Sequence, residues 1–267
     1  MYKMIAIDID DTLLNDEKVV SPGTQAALAE AVQHGVTVTI ATGRMYASAK
    51  QVAAQLNLNV PLITYQGSLV KNSIDGKVLY ERAIPRDAAV FLFQYAKERG
   101  LHLQAYYDDV LYVKEANQKA IDYAELSKIP FEVYPNFDEL AEKPNTKLLI
   151  IDDPDKLDEI AAELKQLIGH EMHITKSKPH FLEFVHKEGT KGHALTALAE
   201  HFGYEISEVI AIGDSDNDRE MLEVAGLGVA MGNAKPALKE LANYVTRSNN
   251  EDGIKHVVDK FVFGRSE

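Results

Sequence analysis

The sequence predicts an α/β protein in which a parallel-sheet core is interrupted by an inserted α+β domain. Three observations carry this expectation. Compact apolar runs, Met4-Ile5-Ala6-Ile7 and Val209-Ile210-Ala211-Ile212, stand near opposite ends of the chain and read as buried strands of a parallel sheet. Strand and helix signals alternate through the first third of the chain and resume from Lys191. Between these stretches, helices mix with hairpin-like strands, the mark of an α+β module with an antiparallel sheet. The expected core is 1–83 with 188–267, and the insertion is 84–187.

Each element has a local reason. Ser21-Pro22 is an N-cap followed by proline at the first helical position, opening a helix that Gly35 ends. The β-branched run 36–41 is a strand, Thr42-Gly43-Arg44 a loop, and the alanine-rich stretch 45–56 a helix. Residues 61–65 form a further strand, and 68–80 a hairpin turning at Asp75-Gly76. In the insertion, a helix over 85–100 precedes short strands at 101–107 and 110–113 around an Asp-Asp turn. A helix near 115–127, a strand at 146–151, a helix at 154–168 and strands near 171–177 and 180–186 complete it.

Composition narrows the function. The chain has 267 residues, 46% of them hydrophobic, enough for a sizeable core and against disorder. A formal net charge of −13 disfavours non-specific binding to nucleic acid or to anionic membranes. The absence of cysteine excludes disulfides, thiolate metal sites and cysteine catalysis, and suits a reducing cytoplasm. No apolar run reaches the roughly 20 residues of a membrane span, and the acidic residues Asp8 and Asp10 argue against a signal peptide. The nine histidines show no paired zinc spacing, and no nucleophile-elbow or dinucleotide fingerprint is present.

The chemistry is concentrated in two acidic segments, Asp8-Ile9-Asp10-Asp11-Thr12 and Gly213-Asp214-Ser215-Asp216-Asn217-Asp218, each following one of the buried runs. Both therefore fall at the carboxyl ends of strands, where open α/β sheets place their ligands. Clustered carboxylates repel unless a cation lies among them, and a hard divalent ion such as magnesium suits oxygen donors. Asp8 and Asp10, two apart, share a direction if the chain stays extended. Taken singly each segment has a plainer reading: a loop cap for the first, a helix start enriched in acids for the second. Thr42 and Gly43 could grip an anion or simply cap a helix. Lys191 stands in a first helical turn, where a cation is mildly unfavourable, or it is a solvated surface lysine.

Together the segments D-x-D-x-T, a strand-end Thr, a Lys at a helix start and G-D-x-x-N-D resemble the haloacid dehalogenase (HAD) superfamily of phosphotransferases. The stretch from Pro179-His180-Phe181-Leu182-Glu183 to Thr190-Lys191-Gly192 is similar to its Cof-type hydrolases, and the insertion resembles a type II, subclass B cap. Asp11 departs from the common Gly of the first motif, and Gln66-Gly67-Ser68 from a common Asn-Gly-Ala. The resemblance implies a Rossmann-like core and a magnesium-dependent phosphatase of small phosphorylated metabolites, such as sugar phosphates. It implies Asp8 as nucleophile and Asp10 as acid and base. The metal would be held by Asp8, the Asp10 carbonyl and Asp214, with Asp218 orienting Lys191 or the metal shell. Thr12, Thr42, Gly43, Arg44, Lys191 and Asn217 would contact phosphate or substrate. The cap would close over the core, with specificity in loops near 106–109 and 176–180. A phosphomutase on the same scaffold and a non-catalytic phospho-ligand sensor are the alternatives.

Overall fold

The computed structural model describes residues 1–57 and 59–265. The chain divides into two compact units, Met1–Tyr80 with Lys191–Glu267, and Glu81–Thr190.

In the first unit, β1 (Met4–Ile7) leads through α1 (Pro22–Gln33) to β2 (Thr37–Ala41), and α2 (Tyr46–Ala53) leads to β3 (Pro61–Thr64). Ser21 caps α1 by accepting from the Thr24 N–H at 3.1 Å, as its Ser-Pro start predicts. The hairpin β4 (Leu69–Asn72) and β5 (Val78–Glu81) follows. In the inserted unit, α3 (Arg86–Glu98), β6 (His102–Tyr107), β7 (Val110–Val113), α4 (Gln118–Ser127), β8 (Phe131–Val133), β9 (Lys147–Ile151), α5 (Pro154–Ile168), β10 (Met172–Lys178) and β11 (Phe181–His186) follow in turn. The chain then re-enters the first unit with α6 (Lys191–His201), β12 (Val209–Gly213), α7 (Arg219–Val224), β13 (Leu227–Ala230), α8 (Pro236–Leu241), β14 (Tyr244–Val245) and α9 (Gly253–Val257).

The first unit is built on one sheet in the order β14-β13-β12-β1-β2-β3-β4-β5. From β14 through β3 the neighbours are parallel, and β3 pairs with β4 antiparallel. All four residues of β1 and all five of β12 are buried, which explains why both read as continuous apolar runs rather than alternating ones. The sequentially distant β1 and β12 lie side by side, with Ile7 opposite Ile212. Asp8, the residue after β1, therefore emerges beside Gly213, the last residue of β12, and Asp214 follows it.

The inserted unit is a six-stranded sheet, β10-β11-β9-β6-β7-β8, antiparallel except between β7 and β8. One face carries Leu103, Ala105, Leu148, Ile150, Leu182 and Phe184 in a core shared with Leu92 and Phe93 of α3 and Leu157 and Leu164 of α5. Burying each of the leucine, isoleucine and phenylalanine side chains contributes on the order of 2 kcal/mol. The alternate positions Gln104, Tyr106, Lys147 and Glu183 are also buried. Lys147 Nζ stands 3.4 Å from Glu183 Oε1 and 4.7 Å from the centre of the Tyr106 ring. The Tyr106 hydroxyl donates to that of Tyr123 on α4 at 2.8 Å. The two loops expected to share specificity do not come together. Tyr106 pairs with Lys147 at one end of β9, whereas Phe181 pairs with Ile151 at the other.

Candidate active site

Three adjacent strands deliver the site. Asp8 follows β1, Thr42 follows β2, and Asp214 follows β12. The Asp8 N–H donates to the Ile212 carbonyl at 3.0 Å, and the Thr42 N–H to that of Ile63 at 2.8 Å, so the ladders extend one residue past the strands. Beyond Asp8 the chain turns, with Asp11 in the left-handed region at φ 59°. That turn lies beyond both Asp8 and Asp10, whose backbones are extended; their carboxylates nonetheless take different partners, Lys191 and Arg44.

Lys191, the first residue of α6, is almost wholly buried, which excludes a solvated surface role. Its Nζ donates to Asp8 Oδ1 at 2.5 Å and to Asp218 Oδ1 at 2.6 Å. Asp218 is fully buried, and its Oδ2 accepts from the Asp214 and Ser215 N–H groups, each at 3.0 Å. Both oxygens of Asp218 thus hold neighbouring groups in place. Thr12 Oγ1 donates to Asp214 Oδ1 at 3.2 Å.

The electrostatics follow from three carboxylates facing one ammonium. Burial and the neighbouring Asp218 push the Asp8 carboxyl well above its ordinary value, with Lys191 opposing. Burial and Asp218 likewise push Asp214 up to about 7. Burial pulls Lys191 down, but Asp218 and Asp8 outweigh it and hold the ammonium above its ordinary range. One oxygen from each of Asp8, Asp214 and Asp218 lies within 4.8 Å of the others. This donor set is all oxygen and short of positive charge, which fits a hard divalent cation such as magnesium.

Asp10 and Arg44 form a bidentate pair, Nε to Oδ2 at 2.9 Å and Nη2 to Oδ1 at 2.6 Å. Burial pushes Asp10 up, but the hydrogen bonds and charge of Arg44 outweigh it and lower its carboxyl. Arg44, expected toward substrate, is here turned to Asp10. Thr42 does not cap α2, whose N-cap is Met45; its Oγ1 accepts from the Arg44 N–H at 3.2 Å. Asn217 Oδ1 accepts from Ser215 Oγ at 2.7 Å, and its Nδ2 donates to Gln66 Oε1 at 3.2 Å. Gln66 is a site residue that the sequence reading left without a role. Its departure from the common Asn at that loop was the signal available.

The chain matches the family of haloacid dehalogenase-like hydrolases over residues 5–258. It is 32% identical over 289 residues to the 5-amino-6-(5-phospho-D-ribitylamino)uracil phosphatase YwtE of Bacillus subtilis, covering 98% of this chain and 99% of the relative. It is 32% identical over 240 residues to the HMP-PP phosphatase of Yersinia pestis, covering 90% and 87%. Among solved structures, TM0651 from Thermotoga maritima superposes with a TM-score of 0.89 at 35% identity, covering 100% of this chain and 99% of that one.

Proposed function

The chain belongs to the haloacid dehalogenase-like hydrolases and is a phosphoric monoester hydrolase, and we propose that it cleaves sugar-phosphate-like monoesters through a phosphorylated Asp8. The observation that carries this reading is the buried Lys191 ammonium bridging Asp8 and Asp218 beside Asp214. The phosphorylated ribityl chain named in one relative's substrate supports a polyol or sugar phosphate.

In the first step an Asp8 oxygen attacks phosphorus, the new P–O bond forms as the ester P–O bond breaks, and Asp10 gives its proton to the departing oxygen. In the second step a water oxygen attacks the same phosphorus while Asp10 takes its proton, releasing inorganic phosphate and restoring Asp8. Lys191, Thr42, the Gly43 N–H and Asn217 would hold the phosphoryl oxygens, with Thr12 steadying Asp214. Asp8 and Asp214 would hold magnesium with the Asp10 carbonyl, and Asp218 would support that set through Lys191 and the 214–215 backbone. The ion, when bound, shields carboxylate from phosphate and polarises the phosphoryl group.

The test is phosphate release from a panel of sugar and polyol phosphates, with magnesium, with a chelator, and with calcium. Turnover should require magnesium, and calcium should serve poorly because it prefers looser, higher coordination. Asp8→Asn should fold normally and lose at least about a thousandfold, or ~4 kcal/mol of transition-state stabilisation. Undiminished turnover in chelator or in Asp8→Asn would falsify the reading.

We also infer that substrate choice resides in the inserted residues 84–187. The loops carrying Tyr107 and His180 lie at opposite ends of β6 and β11, about 20 Å apart along the strands at roughly 3.3 Å per strand residue. A small metabolite cannot touch both. Of Tyr107→Ala and His180→Ala, one should reorder relative kcat/KM across the panel and the other leave the order intact. Unchanged order in both variants would place selection outside these loops.

A further inference from the structure

Position 43 raises a question that its backbone does not answer. Gly43 does not have the positive φ that excludes other residues, since the left-handed glycines are Gly35, Gly67, Gly76, Gly100, Gly203 and Gly264. A Cβ there would nevertheless lie 2.4 Å from Gln66 Nε2 and 2.8 Å from its Cδ. The space over Gly43 is therefore filled by the carboxamide of Gln66.

Gln66 is placed there at a cost. It is 4% exposed and sits at φ 64°, directly after Tyr65 at φ 52°. Two successive non-glycine residues in the left-handed region are strained, and such strain persists only where surrounding structure fixes it. Here the fixing contacts come from the loop beneath: Tyr65 N–H donates to the Arg44 carbonyl at 2.9 Å, and Gln66 N–H to that of Thr42 at 3.1 Å. The turn is thus laid over Thr42-Gly43-Arg44, and its side chain reaches onward to accept from Asn217 Nδ2 at 3.2 Å. One residue joins the loop after β2 to the loop after β12.

We propose that Gln66 is the positioning residue of the phosphoryl pocket, holding Asn217 and the Gly43 N–H in one arrangement, and that position 43 is glycine to admit its carboxamide. This rests on the assignment of Thr42, Gly43 and Asn217 to phosphate. Preorganised donors aimed at a transferring phosphoryl group lose much of their effect when misplaced by about 1 Å.

The experiment measures kcat and KM on a monoester the wild type hydrolyses, inhibition by orthovanadate, and melting temperature. Gln66→Ala and Gln66→Gly should each lose about tenfold or more in kcat/KM and in vanadate affinity. The glycine variant should melt above the alanine variant, because only alanine retains the left-handed strain. Gly43→Ala should cost at least tenfold in the wild type, yet less than about threefold in the Gln66→Gly background, where the carboxamide is gone. Likewise Asn217→Ala should add little to Gln66→Ala. Additive losses in both pairs, or Gln66 variants with unchanged vanadate affinity, would overturn the proposal. A wild type that hydrolyses no monoester would instead overturn the functional reading on which it rests.

Discussion

As general acid, Asp10 must hand a proton to the departing oxygen, yet both oxygens of its carboxylate are gripped by Arg44. The pair is partly exposed, with the Asp10 side chain 51% accessible, so solvent and an incoming anion can compete for the guanidinium. Removing the acid should matter in proportion to how badly the leaving group needs a proton. Asp10→Asn should lower kcat/KM about a hundredfold to ten-thousandfold on alkyl phosphates, and far less on p-nitrophenyl phosphate, whose phenolate leaves unaided. Steady-state kinetics on the two ester types measures this. An equal loss on both would assign Asp10 to binding rather than proton transfer. The two-carboxylate spacing was visible in the sequence, but its partner was not: Arg44 is 34 residues away, and nothing local distinguishes an arginine aimed at substrate from one aimed at an acid.

At the level of elements, the position of Lys191 depends on how closely α6 approaches α7. The next residue, Gly192, has space for no side chain: a Cβ would stand 2.9 Å from Glu220 Cβ and 3.1 Å from the Glu220 backbone. Backbone cannot move aside as a side-chain end can, so Gly192→Ala should push the start of α6 outward. We expect a loss of roughly 1–3 kcal/mol in urea unfolding, the usual range for overpacking. Turnover should fall about tenfold or more as Lys191 leaves Asp8 and Asp218. Wild-type stability with wild-type turnover would mean that α6 has slack. The helices themselves are legible wherever local chemistry decides them, as with Ser21-Pro22 for α1 or the run Pro154–Ile168, which holds to the residue. The three-residue β8 and two-residue β14 escaped because their pairing is set by neighbours, not by any periodicity of their own. The turn at Tyr65 and Gln66 escaped for a related reason: tertiary contacts impose its left-handed backbone on residues that carry no turn signal. Lys191 could not be separated from a surface lysine until two distant carboxylates were seen around it.

For the molecule as a whole, the acid limit of stability should be set in part by the inserted unit. A net charge of −13 falls in magnitude as carboxylates take protons, so acid at first relieves self-repulsion. His102 of β6 works against that relief. Its Nδ1 accepts from Asn117 Nδ2 at 3.1 Å, an arrangement open only to the neutral ring, and the same Asn117 caps α4 through the Ala120 N–H. Burial and the Lys119 ammonium lower the His102 pKa from 6.5 to about 4, with Glu115 and Asp152 opposing. Because the folded value lies below the unfolded one, the unfolded chain binds the extra proton between these limits. The contribution is therefore complete above about pH 6.5 and is lost as pH falls toward about 4. After allowance for the partial solvent access of the ring, the loss by pH 4.5 should be on the order of 2 kcal/mol. Urea unfolding of the wild type and His102→Gln at pH 7 and pH 4.5 isolates it, since the variant shares every carboxylate. The wild type should lose more stability on acidification than the variant, and the transition that shifts should be the one reported by probes in residues 84–187. Parallel pH dependence in the two proteins would show that His102 is protonated as readily in the folded chain as in the unfolded one.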